Sequence, residues 1–173
     1  MPQRLGRVLI SREEIAHRVE ELGRAVAREH AGRVPLLVGV LKGAVIFMAD
    51  LVRAIRAPIA MDFMGVSSYG PGTRSAGSVR LTADLSVSIE GRAVVIVEDI
   101  VDTGLTLTYL QEILRARGPK ALRTACLLSK PSRRQVDVKV EYIGFTIEDR
   151  FVVGYGLDYA ERYRNLPYIA VVE

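Results

Sequence analysis

Three short, unbroken apolar runs set the tightest limit on how this chain can fold: Pro35–Leu41, Ala93–Val97 and Thr124–Leu128. A strand with one wet face alternates apolar and polar residues, whereas short runs that are apolar throughout suit strands covered on both faces. Segments with helical spacing separate them. Ile15, Val19, Leu22 and Val26 recur on one face after Ser11-Arg12-Glu13-Glu14, where Ser11 is placed to cap and Glu14 to reach back. Phe47, Met48, Leu51, Val52 and Ile55 mark a second helix beyond the break at Lys42-Gly43. Leu107, Leu110 and Leu114 mark a third, stopped by Gly118-Pro119. Ile59, Met61 and Phe63 alternate as a strand should, then enter a polar stretch, Ser67–Ser78, that reads as a loop, with a further strand near Val79–Leu81. From Val138 onward the chain is β-rich, at Tyr142–Phe145, Phe151–Val153 and Tyr168–Val172. Alternating strands and helices predict an α/β fold with a mainly parallel sheet, in one domain over residues 1–173.

Composition excludes several classes. At 49% hydrophobic and 25% charged residues the chain is globular rather than disordered. No apolar run reaches the roughly 18 residues of a membrane span, and the first residues lack a signal-peptide core, so a cytoplasmic location is expected. The single cysteine, Cys126, sits in an apolar run and reads as a buried thiol. The net charge of +4 is scattered, and Arg133-Arg134 is too short to resemble a nucleic-acid-binding tail. His17 and His30 lack metal-ligand spacing and are expected on solvated helix sides.

The chemistry concentrates in Val94-Val95-Ile96-Val97-Glu98-Asp99-Ile100-Val101-Asp102-Thr103-Gly104-Leu105-Thr106-Leu107. A buried strand runs into adjacent carboxylates, then a short turn of small and hydroxyl residues, then a helix. In open α/β sheets ligands sit beyond the carboxyl ends of strands, and a helix N-terminus offers unpaired N–H groups to a phosphate. Gly104 permits close approach, and Thr103 and Thr106 add hydroxyls. Carboxylates beside a phosphate must serve something else: Glu98 and Asp99 can address a ribose diol directly or through a cation, leaving Asp102 to manage a proton. A phosphorylated sugar fits better than a bare phosphate. There is no P-loop motif, and Gly154-Tyr155-Gly156-Leu157-Asp158-Tyr159 starts like a dinucleotide fingerprint without its third glycine.

This segment resembles the fingerprint of type I phosphoribosyltransferases, and from about Leu36 to the C-terminus the chain is similar to the bacterial hypoxanthine(-guanine) branch of that family. The resemblance implies that family's fold, with a small hood subdomain drawn largely from residues 138–173, a contribution from the N-terminal segment being left open. It matches Leu41-Lys42-Gly43 to a pyrophosphate loop whose peptide before the lysine is often cis, and Arg164 to an arginine on pyrophosphate. Ser68-Tyr69 matches a mobile loop that closes over the site. Lys130 matches the lysine that contacts the purine O6, and Phe151-Val152 the pair that stacks on the base and bonds its edge. Asp158 falls in the purine site and matches a metal-binding carboxylate, with Glu98 and Asp99 as further candidates for Mg²⁺. Glu98, Asp99, Asp102, Thr103, Gly104, Leu105 and Thr106 would bind the phosphoribosyl group. At Leu105 some members carry lysine, so phosphate binding here must rest on backbone and hydroxyl donors.

The implied activity is purine salvage: hypoxanthine or guanine plus 5-phosphoribosyl 1-pyrophosphate gives IMP or GMP plus pyrophosphate, with Asp102 exchanging a proton with the purine N7. A homodimer or homotetramer is implied on the same ground, with no nucleic-acid or membrane partner. Two alternatives stay open from sequence: preference for xanthine, and an RNA-binding regulator built on the same fold.

Overall fold

The structure, a computed structural model, describes residues 4–68 and 79–173, with the side chain of Ser68 left out. The buried runs pair as expected. Strands β2 (Leu36–Leu41), β3 (Ala60–Ser68), β5 (Ala93–Val101), β6 (Ala121–Ser129) and β7 (Tyr142–Thr146) run parallel, and β4 (Val79–Ala83) is antiparallel at one edge, in the order β4-β3-β2-β5-β6-β7.

Successive side chains of a strand point to opposite faces. Accordingly Val95 and Val97 of β5 enter a core with helices α1 (Arg12–Glu29) and α2 (Val45–Ala54). Val94 and Ile96 enter a second core, with Leu107, Leu110 and Leu114 of α3 (Leu105–Arg115). Helices on both faces explain why β2, β5 and β6 are apolar without alternation. Cys126 lies fully buried in the second core, and that burial pushes its thiol up to about 12.

Helix α1 starts where Ser11 Oγ accepts a hydrogen bond from the Glu14 N–H at 3.1 Å. It lies against α2 at Gly23, where an added Cβ would stand 2.5 Å from the carbonyl oxygen of Ala54. A second, antiparallel sheet joins both ends of the chain, β1 (Leu5–Ile10), β9 (Ile169–Val172) and β8 (Val152–Val153), in the order β1-β9-β8.

Three expectations are revised. Tyr142–Thr146, placed with the β-rich tail, extends the large parallel sheet, because its backbone pairs with the free edge of β6. The strand expected to give way at Ser67 continues to Ser68, paired with Val79. His30 is no solvated histidine: it closes α1, is 4% exposed, and its Nδ1 lies 2.9 Å from the Val26 carbonyl. His17 does face solvent, beside Glu21.

Gly23→Ala tests the helix contact. Helix propensity alone would favour alanine by about 1 kcal/mol. The facing atom is rigid backbone, however, and overpacking of that kind costs about 1–3 kcal/mol. A lower urea midpoint for the variant is expected; a raised midpoint would show that the α1–α2 contact yields easily.

Candidate active site

The two strand–helix units diverge from the middle of the sheet. β2 leads through α2 on one face to β3 on one side, and β5 leads through α3 on the other face to β6 on the other side. Such a reversal leaves a crevice beyond the carboxyl ends of the central strands, where α/β proteins bind ligands. The crevice here is a cavity of about 300 Å³ between the ends of β2 and β5. Leu41, Gly43, Glu98, Asp99, Thr103 and Arg164 are among its walls, with Asp102, Gly104 and Thr106.

Its floor is the turn into α3. Gly104 takes φ +87°, a left-handed conformation that favours glycine, and a Cβ there would press on Val138 and Val136 at 3.0 and 3.2 Å. No side chain caps α3 from that position. The Leu105 N–H reaches Thr103 Oγ1 at 3.3 Å, a local bond that shapes the turn. Leu105 is half-buried as the first residue of the helix.

On one wall the Glu98 and Asp99 carboxyls meet. Glu98 is 6% exposed. Burial, then the neighbouring Asp99 charge, hold its carboxyl well above the usual carboxylate range. Burial also raises Asp99, opposed by the Ile100 N–H at 2.8 Å and by the Arg164 charge. Asp99 leans over the loop after β2: a Cβ on Gly43 would come 2.0 Å from its Oδ2, so a larger residue there would displace the Asp99 carboxylate. The Leu41–Lys42 peptide is cis.

The C-terminal segment closes over this loop. Gly156, at φ +99°, sits so close to Gly43 that a Cβ would meet the Gly43 carbonyl oxygen at 2.2 Å. Arg164 Nη1 donates to the Gly156 carbonyl at 2.7 Å, and its Nη2 lies 3.4 Å from Asp158 Oδ1. Lys42 is exposed on the same side, 3.4 Å from Glu161. Asp158 Oδ2 accepts the Glu161 N–H at 2.8 Å.

The remaining residues of the expected purine site gather beyond β6. Lys130 follows β6 with its side chain 8% exposed and its Nζ 3.9 Å from Asp149. Phe151 is 51% exposed and meets Tyr159 edge-to-face, with ring centroids 5.7 Å apart. Val152 is buried in β8. Ser68 ends β3, whereas Tyr69 and the rest of the expected mobile loop lie outside the described residues.

Among the described residues no three acidic, histidine or cysteine side chains stand grouped as a metal site. Asp158, the expected metal-binding carboxylate, faces Arg164 from the C-terminal segment. Asp158, Glu98 and Asp99 offer only oxygen donors, which suits a divalent ion that keeps waters and phosphate ligands.

Sequence reasoning missed the braces. Arg134 Nη1 donates to the carbonyls of Val101 and Asp102 at 2.8 and 2.7 Å, and Nη2 donates to Ser129 Oγ at 2.8 Å, fastening the end of β5 to that of β6. Arg133 Nε donates to Asp102 Oδ1 at 3.0 Å and its Nη1 lies 3.7 Å from Asp149. The signal available was the spacing: an arginine pair one short turn after Lys130 sits beside whatever Lys130 serves.

Comparison with known proteins identifies the family. The model of the phosphoribosyl transferase domain matches residues 11–160. The hypoxanthine-guanine phosphoribosyltransferase of Bacillus subtilis is 53% identical over 173 residues, covering 100% of this chain and 96% of that protein. That of Streptococcus thermophilus is 47% identical over 167 residues, covering 96% and 93%. A crystal structure of a hypoxanthine-guanine phosphoribosyltransferase from Bacillus anthracis, with HEPES in its active site, superposes with a TM-score of 0.94 at 46% identity, over 98% of this chain and 100% of that one.

The raised carboxyl of Glu98 has a consequence for stability. The folded state holds its proton at pH values where the unfolded chain has released it, so this group's contribution is complete below the unfolded value and is lost as pH rises through the folded one. Without divalent cation, Tm should therefore fall on going from pH 5 to pH 8. Glu98→Gln should flatten the fall and raise Tm at pH 8 by roughly 2–4 °C per kcal/mol of relieved burial cost. Parallel profiles for the two proteins would show that the pair carries no such cost.

Proposed function

The chain belongs to the phosphoribosyl transferase domain family, and on that premise we propose that it is a purine-salvage enzyme. It transfers the 5-phosphoribosyl group of 5-phosphoribosyl 1-pyrophosphate to hypoxanthine or guanine, forming IMP or GMP and pyrophosphate. The observation that carries the reading is the start of α3 at Gly104, with no side-chain cap from that residue, set beside the Glu98–Asp99 pair in one cavity.

The 5′-phosphate binds against Asp102–Thr106, taking hydrogen bonds from main-chain N–H groups and from the Thr103 and Thr106 hydroxyls. Glu98 and Asp99 accept from the ribose hydroxyls. Lys42 and Arg164 hold the pyrophosphate. As its bond to C1 breaks, positive charge builds on the ribosyl ring and negative charge on the departing oxygen. Cations already fixed beside that oxygen stabilise the change most when water is excluded. Asp158, with Glu98 and Asp99 as further candidates, would hold Mg²⁺ together with waters and phosphate oxygens, and the ion would supply further positive charge at the leaving group. Asp158 also lies 3.4 Å from Arg164.

The purine stacks on Phe151 and lies along the backbone of Val152, with N9 toward C1. Asp102 takes the proton from N7 as N9 attacks. Arg133 already occupies Oδ1 of this carboxylate, which leaves Oδ2 for that proton. Lys130 can only donate, so it suits the carbonyl O6 of hypoxanthine or guanine and opposes the amino group of adenine. Closure of the loop that begins at Ser68-Tyr69 would keep water from the ribosyl cation. The chain works in the cytoplasm as a homodimer or homotetramer.

Incubation with the ribosyl donor, Mg²⁺ and each of hypoxanthine, guanine, xanthine and adenine tests this directly. IMP and GMP should form and AMP should not; equal turnover of adenine would overturn the role of Lys130. Asp102→Asn should lower kcat by roughly 10²–10⁴-fold with little change in donor binding. An unchanged kcat would remove Asp102 from the proton transfer.

A further inference from the structure

Glu161 has no part in the mechanism above, yet its carboxylate stands between both of the cations assigned to pyrophosphate. Its Oε2 lies 3.4 Å from Lys42 Nζ and its Oε1 3.4 Å from Arg164 Nη2. One anionic group thus engages each cation with a different oxygen, as a bridging phosphate oxyanion would.

The local backbone presents it there. Ala160, Glu161 and Tyr163 take φ of +51°, +64° and +78°, a left-handed conformation uncommon for residues with a Cβ. Backbone of this kind clusters at ligand clamps. The turn is held by the Glu161 N–H on Asp158 Oδ2 at 2.8 Å and by mutual bonds between Tyr159 and Arg162 at 3.0 Å. Lys42 and Glu161 are both largely exposed, at 72% and 67%. An exposed pair of this sort is weak and opens readily. A group needed to hold Lys42 in place would be expected in a buried, firmly bonded position; this one is placed to be displaced.

We infer that Glu161 is an internal competitor for the leaving-group site: its carboxylate occupies Lys42 and Arg164 when pyrophosphate is absent, yields to pyrophosphate, and returns to help expel it. The inference rests on the assignment of Lys42 and Arg164 to pyrophosphate. Its cost is weaker retention of the donor, and its gain is faster departure of a product whose charge would otherwise hold it in place.

The test is titration calorimetry of Mg²⁺-pyrophosphate into the full-length wild type and Glu161→Gln, with Glu161→Asn as a second variant because asparagine tolerates left-handed backbone. Removing the competitor should tighten pyrophosphate binding by roughly two- to fivefold, the scale of exposed pairs of this kind. In a Lys42→Met background the gain should shrink, since half of what Glu161 competes for is gone. If Glu161 merely orders the two cations, both variants would bind pyrophosphate more weakly, and that result or an unchanged affinity overturns the inference. A wild type that binds no pyrophosphate removes the assignment of Lys42 and Arg164 as well, and the inference with it.

Discussion

A helix whose N-cap residue has no side chain leaves N–H groups of its first turn in want of an acceptor, and α3 begins this way at Gly104, with only the Leu105 N–H turned to Thr103 Oγ1. The want is built in. Gly104 has the left-handed φ that turns the chain sharply from β5 into α3, and a Cβ there would stand 3.2 and 3.0 Å from Val136 and Val138. Arg134 fixes the carbonyls on the strand side of the same turn. Donors held open in this way need no rearrangement to receive an anion.

The anion site has acids for neighbours, and the balance between them defines the ligand. Glu98 and Asp99 are held above their usual titration range chiefly because burial disfavours their charge, with the Asp99 charge raising Glu98 further. Ribose hydroxyls donate hydrogen bonds to such a pair, and a divalent cation cancels its charge. A ligand with phosphate, diol and bound cation in fixed order therefore satisfies the cavity better than any one of them alone. Lys42 and Arg164 lie on the side of Gly43 and Gly156, where close backbone packing brings the C-terminal segment over β2. Cations for a second phosphate group thus stand apart from the donors for the first.

The central sheet was legible because burial on both faces leaves a plain mark, apolar residues without alternation, in β2, β5 and β6. The turn after β5 was legible because adjacent acids, small residues and hydroxyls rarely follow a buried strand for structural reasons. Tyr142–Thr146 was misplaced because a short strand at a sheet edge carries no mark of which sheet it joins; only pairing with β6 decides that. His30 looked like a surface residue because helical spacing gives its angle and not the depth of its neighbours. Arg133 and Arg134 were passed over as an isolated basic pair, since their meaning lies in the carbonyls and carboxylates that the fold folds back onto them.

The central claim is a location: a sugar 5′-phosphate held by the main chain where β5 becomes α3. A crystal structure of the protein with a bound 6-oxopurine mononucleotide measures it without reference to rates. The account predicts phosphate oxygens within hydrogen-bonding distance of the N–H groups and hydroxyls of residues 102–106, with the ribose toward Glu98 and Asp99. A nucleotide whose phosphate rests anywhere else would contradict it.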